Sequence, residues 1–91
     1  MTIQHDPDNQ EFRATEDGRP AELAYSRPAP GVIDFTHTYV DAALRGRGLA
    51  DELARAALAY ARQEKLHVKT SCTFMKGFVE RHHAEYADLL T

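Results

Sequence analysis

Apolar residues alternate with polar ones through the N-terminal part of the chain, then recur at steps of three and four. Glu11 to Thr15 alternates around Phe12 and Ala14, and Ala21 to Ser26 places Leu23 and Tyr25 on one face. Between them Asp17-Gly18 is a hairpin signal, so the two runs predict antiparallel strands. Upstream, Asp6-Pro7-Asp8-Asn9 reads as a turn within a polar stretch, and Pro28-Ala29-Pro30-Gly31 is a firm break. Val32 to Val40 is the plainest strand. Ile33, Phe35, His37 and Tyr39 fall on one face, with Asp34, Thr36 and Thr38 on the other, and β-branched and aromatic residues dominate it.

The period changes after Arg47. Leu49, Leu53, Ala56, Ala57 and Tyr60 form one helical stripe running to about Glu64, with Asp51 and Glu52 near the positive end of the helix dipole. Leu66 to Thr70 then predicts a short strand. A strand, a helix and a second strand form a βαβ crossover, so the flanking strands should be parallel neighbours. Thr73 to His83 predicts a second helix with Phe74, Phe78 and Val79 inward. Ala84 to Leu90 should make a last turn, with Tyr86 and Leu89 or Leu90 packing back. The fold class expected is α+β: an antiparallel β-meander, a βαβ crossover and a C-terminal helix, in one domain over residues 1–91.

Composition narrows the function classes. The chain has 91 residues, enough for one domain that buries somewhat more than ~60% of its unfolded surface. Its net charge of -3 argues against a general nucleic-acid binder, which is normally basic. The single cysteine, Cys72, excludes an internal disulfide and a cysteine-rich zinc site. No signal peptide or membrane-length apolar run is visible, so a cytoplasmic protein without membrane partners is expected. His82-His83 are adjacent on a helix and point apart, and no third ligand is apparent, so no metal is expected. Oligomeric state is not written in this pattern; a monomer or weak homodimer fits it.

The candidate chemistry lies where strand gives way to helix. Val40 to Ala50 carries Arg45, Gly46, Arg47 and Gly48 just ahead of the main helix. Glycines let a chain turn tightly with its amides uncovered. A helix start adds unpaired N–H groups and partial positive charge, and together these favour an anion such as a diphosphate. A dinucleotide-binding βαβ unit does not fit, because most strands precede the glycines and the glycine spacing differs.

The spacing Arg45-x-x-Gly48-x-Ala50 resembles the Q/R-x-x-G-x-G/A signature of the GNAT superfamily of acetyl-coenzyme A-dependent N-acetyltransferases. More narrowly, the chain is similar to the minimal single-domain subgroup of that superfamily. There, a segment like His-Thr-Glu-Val precedes the glycine turn, a cysteine follows the next strand, and a His-Pro-Glu-Tyr-like element lies near the end. This chain reads His37-Thr38-Tyr39-Val40, then Ser71-Cys72-Thr73-Phe74, then His83-Ala84-Glu85-Tyr86. Tyr39 stands in place of the usual acid and Ala84 in place of the usual proline.

The resemblance, covering roughly residues 11–90, implies a shortened GNAT-like fold that binds acetyl-coenzyme A as cosubstrate and moves its acetyl group directly to an amine of unknown identity. Gly46, Gly48, Leu49 and Ala50 would hold the diphosphate through backbone amides, and Arg45 and Arg47 would add charge. Thr38, Tyr39 and Val40 end a strand whose backbone either pairs within the sheet or accepts pantetheine as an added strand. Cys72 would be either a packed thiol or a group near the acetyl. His37 is the best base by side-chain chemistry, yet its register with Phe35 also suits a core histidine. Tyr39 or Tyr86 would protonate the leaving thiolate, or simply pack. An acyl-coenzyme A-binding module with little or no catalysis is the alternative, since the usual acid is replaced. A third alternative, an RNA-contacting Arg-Gly turn, is disfavoured by the acidic balance.

Overall fold

The computed structural model describes residues 2–90. Five strands form one sheet in chain order: β1 (Gln4–Asp6), β2 (Glu11–Glu16), β3 (Arg19–Ser26), β4 (Val32–Val40) and β5 (His67–Thr70). Each strand from β1 to β3 pairs antiparallel with the next, and β5 runs parallel to β4. The crossover between β4 and β5 is α1 (Leu49–Gln63). After β5 come α2 (Thr73–Arg81), a single helical turn α3 (His83–Tyr86) and a 3-10 turn at Ala87–Leu89. The α+β meander-and-crossover architecture expected from the sequence is therefore what the chain adopts. Asp17 and Gly18 both take positive φ, 53° and 71°, which is the two-residue hairpin geometry that suits twisted strands.

Cross-strand register shows why the sheet has a wet face and a dry one. Phe12 faces Leu23, Ala14 faces Ala21 and Tyr25 faces Phe35, and all six are buried on one side. Against them pack Leu49, Leu53, Ala54, Ala57, Leu58 and Ala61 of α1, and Met75, Phe78 and Val79 of α2, in a single core cluster. Tyr86 and Leu89 close its end. The other face carries Arg13, Glu22, Ala24, Asp34, His37 and Tyr39, and no residue of it is buried. An antiparallel sheet tolerates this two-layer arrangement because only one face needs cover.

Three local features depart from expectation. The buried stripe of α1 is broader and rotated: Ala54, Leu58 and Ala61 are covered, while Ala56 and Tyr60 are only half-buried. The helix lies across β2, β3 and β4, so more of its circumference meets the sheet. The polar start contains a strand, β1, and the expected turn begins only after it. His5 explains that strand. Its ring stacks on Phe12 at 4.2 Å and meets the edge of Tyr60 at 4.4 Å, and its Nε2 lies 2.6 Å from the Tyr25 hydroxyl.

The third departure is a β-bulge. Tyr25 pairs with Phe35 but Ala24 pairs with His37, so Thr36 is an extra residue on β4. One inserted residue inverts the alternation beyond it. Ile33 and Phe35 are buried, whereas His37 and Tyr39 turn to the open face, and Thr38 and Val40 turn toward the helices. The reading of His37 as a core histidine in register with Phe35 is corrected by this.

Burial holds the His5 pKa below the ordinary histidine value of 6.5, against an opposing pull from Asp6. The sign follows directly. The unfolded chain takes the proton first as pH falls, so the stabilising contribution is present above about 6.5 and is lost below it. The melting temperature should therefore drop as pH is lowered from 7 toward 5, and His5→Phe should flatten part of that slope in a pH series of thermal melts. An unchanged slope would show that the ring cluster does not hold His5 neutral.

Candidate functional site

The loop between β4 and α1 is built by capping at one end and left uncapped at the other. Asp41 begins a 3-10 turn (Ala42–Leu44): its Oδ1 accepts from the Ala43 amide at 2.9 Å, and its own amide donates to the Pro20 carbonyl at 3.2 Å. Leu44 anchors the loop in the core. Gly46 and Gly48 then take left-handed φ of 83° and 77°, with nothing within 4 Å of where a Cβ would stand. Gly48 is the N-cap of α1, and it has no side chain with which to cap. The first internal bond of α1 runs from the Glu52 amide to the Gly48 carbonyl at 3.1 Å. Among the described residues nothing accepts the amides of Leu49, Ala50 and Asp51. Those amides and the helix dipole make the head of α1 electropositive.

A cavity of about 230 Å³ opens over this turn, lined by Val40, Leu44, Arg45, Gly46, Gly48, Leu49, Ala50 and Asp51. Two larger hollows lie elsewhere, one around Arg62, Lys65 and His67 and one around Gln4, Arg13 and Thr15. Neither includes the start of a helix.

The two arginines of the turn do different work. Arg47 is bound to the β2–β3 hairpin, its Nη1 donating to Asp17 at 2.8 Å and to Glu16 at 3.2 Å. Those hydrogen bonds, Asp17 first, hold the Arg47 pKa above its usual value. Its charge is matched by the protein, so Arg47 ties the turn to the hairpin. Arg45 makes only a long contact, Nε to the Val40 carbonyl at 3.4 Å, and no ion pair among the described residues. It is the guanidinium left to meet an outside anion.

Beside the turn the sheet splits. The parallel register of β4 with β5 ends at Phe35 and Thr70, after which the Cys72 amide donates to the Phe35 carbonyl at 2.8 Å. From Thr36 to Val40, β4 has a strand partner on its β3 side alone. Asp34 fixes the mouth of this gap by accepting from the Ser71 amide at 3.0 Å and the Ser71 hydroxyl at 2.7 Å. The sequence reading missed that link, although a polar Asp34 beside the end of a parallel partner was its one visible trace. Inside the gap Thr38 Oγ1 lies 3.2 Å from Cys72 Sγ, and Cys72, at the N-cap of α2, is 8% exposed.

The fold thus brings together Thr38, Val40, Arg45, Gly46, Gly48, Leu49, Ala50 and Cys72. His37 and Tyr39 flank the same edge from the open face, with Tyr39 40% exposed. Tyr86 is placed elsewhere. Its hydroxyl meets Arg55 Nη1 at 3.3 Å, its ring packs on Phe78, and burial followed by Glu85 raises its pKa. His82 packs on the Phe78 ring at 4.6 Å, and the described residues contain no cluster of three metal-ligating side chains. No described helix is long and apolar enough to cross a membrane.

Comparison with known proteins gives this geometry its family. The model of the GCN5-related N-acetyl-transferase family matches residues 11–89. Protein NATD1 of Bos taurus is 33% identical over 82 residues, covering 88% of this chain and 73% of that relative. The Danio rerio protein of the same name is 31% identical over 91 residues, covering 97% and 83%. The NMR solution structure of a GCN5-like protein from Staphylococcus aureus superposes with a TM-score of 0.77 at 27% identity, over 97% of this chain and 85% of that one. With the meander, the split strand pair and the bare helix start already in place, the chain belongs to the GCN5-related N-acetyltransferase family of acyltransferases.

Proposed function

We propose that this chain binds acetyl-coenzyme A in the gap between β4 and β5 and transfers its acetyl group directly to an amine nitrogen. The observation that carries this reading is the uncapped start of α1 behind two left-handed glycines, facing the cavity at the end of the β4 edge. Backbone amides from Gly46 to Asp51 are suited to a diphosphate, and Arg45 supplies a charge-assisted contact. The free backbone of Thr38 to Val40 is suited to the amides of pantetheine, as an added strand would be. Acetyl-coenzyme A supplies the activated thioester; an N–H of the β4 edge near Val40 would polarise its carbonyl.

Cys72 fits a neighbour of the acetyl group better than a nucleophile. Its thiol is covered and shares a contact with Thr38, and among the described residues no side-chain base lies in hydrogen-bond contact with it. A covalent cysteine mechanism needs a base or an electropositive, accessible thiolate. Cys72→Ala should therefore retain most of the turnover, measured as coenzyme A thiol released in the presence of primary amines. Abolished turnover with an intact fold would point to an acyl-cysteine route.

The experiment that tests the function is a pair of measurements. Acetyl-coenzyme A should raise the melting temperature of the protein, and thiol release should require added amine. A thermal shift without thiol release would favour the binding-module reading, to which the tyrosine at position 39 lends some weight. Absence of both would overturn the proposal.

A further inference from the structure

The open face of the sheet holds one carboxylate without a partner among the described residues, on β3, with β4 between it and the edge where the acetyl group would lie. Glu22 on β3 faces Tyr39 on β4 across one strand spacing, about 4.8 Å between strands, and faces Arg13 on its other side. Arg13 is already engaged, donating to Asp6 at 2.6 Å and lying 3.5 Å from Glu11. The acids on and just after β4 are also committed, Asp34 to Ser71 and Asp41 to Ala43 and Arg19. Unlike theirs, the side chain of Glu22 makes no hydrogen bond or ion pair to any described residue. Its neighbour Tyr39 is the one exposed large hydrophobic side chain among the described residues, and His37 lies diagonally beyond. An aromatic side chain next to an unpaired carboxylate is the surface an organic cation recognises.

The geometry points to Glu22 as the group that receives the acceptor's ammonium and takes its proton, so that the acceptor is a cationic primary amine arriving over the face opposite the helices. This rests on the acetyl-transfer reading above. The step balances. The carboxylate of Glu22 removes one proton from the alkylammonium, directly or through one water. The freed nitrogen lone pair attacks the thioester carbon, the carbon–sulfur bond breaks, and the second nitrogen proton passes to the departing thiolate. The products are the N-alkyl acetamide and coenzyme A, with the first proton released from Glu22 to solvent. The bulge at Thr36 makes this placement possible, because it turns Tyr39 to the side where Glu22 projects.

The test compares two kinds of nucleophile, using the full chain with acetyl-coenzyme A. n-Butylamine, tyramine, spermidine and a lysine-containing peptide arrive as ammonium ions, whereas hydroxylamine is largely unprotonated at neutral pH and needs no base. Glu22→Gln should lower kcat/KM about 100-fold for the best of the four ammonium acceptors. It should leave hydroxylamine turnover and the acetyl-coenzyme A thermal shift unchanged, and Glu22→Asp should restore part of the loss. Equal losses with both nucleophile types would mark a merely structural residue and overturn the inference. So would no loss with either, or no turnover of any ammonium acceptor by wild-type protein that binds acetyl-coenzyme A. Failure of the wild-type protein to bind acetyl-coenzyme A is a separate result, and it would remove the functional reading itself.

Discussion

Gly48→Val should weaken acetyl-coenzyme A binding by about 100-fold or more, with Gly31→Val leaving it unchanged. The two glycines are matched controls. Both hold φ at 77°, and at neither would an added Cβ meet a protein atom within 4 Å. A residue with a Cβ in that left-handed region costs about 1–2 kcal/mol, so both variants should lose similar stability. What differs is the surroundings. Gly31 lies in the loop between β3 and β4, its carbonyl accepting from the His67 amide at 2.8 Å. Gly48 opens α1 and lines the cavity, so a valine there intrudes where the diphosphate is proposed to sit. Each hydrogen bond to a charged group contributes about 1.5–3 kcal/mol, and removing two of them from the diphosphate gives the expected factor. Isothermal titration of both variants, with urea unfolding alongside, separates affinity from stability. Equal affinity for the two variants would show that the bare helix start is not the anion site.

The glycine turn was legible because its signals are local. Two glycines, no capping side chain and a change of period from two to near four are all visible within Val40 to Leu53. The strand Val32 to Val40 was likewise readable to its ends, since β-branched and aromatic residues mark it and Pro30-Gly31 stops the chain before it. The inversion within that strand was not readable. Thr36 looks like any other strand residue, and its extra place exists only because β3 pairs Tyr25 with Phe35 and Ala24 with His37. That single register shift moves His37 and Tyr39 to the open face and Thr38 to Cys72.

The pairing of the two arginines was not legible in sequence for the same non-local reason. Arg45 and Arg47 look equivalent side by side, but Arg47 is neutralised by Glu16 and Asp17 some thirty residues upstream. A linear reading cannot see which arginine folding leaves without an acidic partner. The small strand β1 was hidden too, because its stability comes from His5 packing on Phe12, Tyr25 and Tyr60 rather than from its own propensity. Elements fixed by their own sequence were visible, and elements fixed by a distant partner were not.

Phe78→Ala should cost about 3–5 kcal/mol, the range for truncating a fully buried phenylalanine, out of about 5–15 kcal/mol typical for a whole domain. No part of Phe78 is exposed, and its ring centroid lies 6.1 Å from Phe74, 4.6 Å from His82 and 6.0 Å from Tyr86. The guanidinium carbons of Arg55 and Arg81 sit 5.4 Å and 6.0 Å from the same centroid. One ring therefore joins α2 to α1 and to the C-terminal turn, and alanine would leave a cavity at their meeting point. In urea unfolding the midpoint should fall with little change in slope, the signature of a stability change alone. The loss should also be felt at the proposed site, because α2 begins at Cys72. With its packing weakened, Cys72 should react faster with a thiol reagent than in the wild-type protein, where it is covered and in contact with Thr38. Acetyl-coenzyme A at about 100 times its Kd should return about 2.7 kcal/mol by binding the folded state, slowing that reaction again. A variant that loses under about 1 kcal/mol would show that the α1–α2 junction does not depend on this ring. A normal loss of stability without any protection of Cys72 by the cosubstrate would place the acetyl-coenzyme A site away from the gap between β4 and β5.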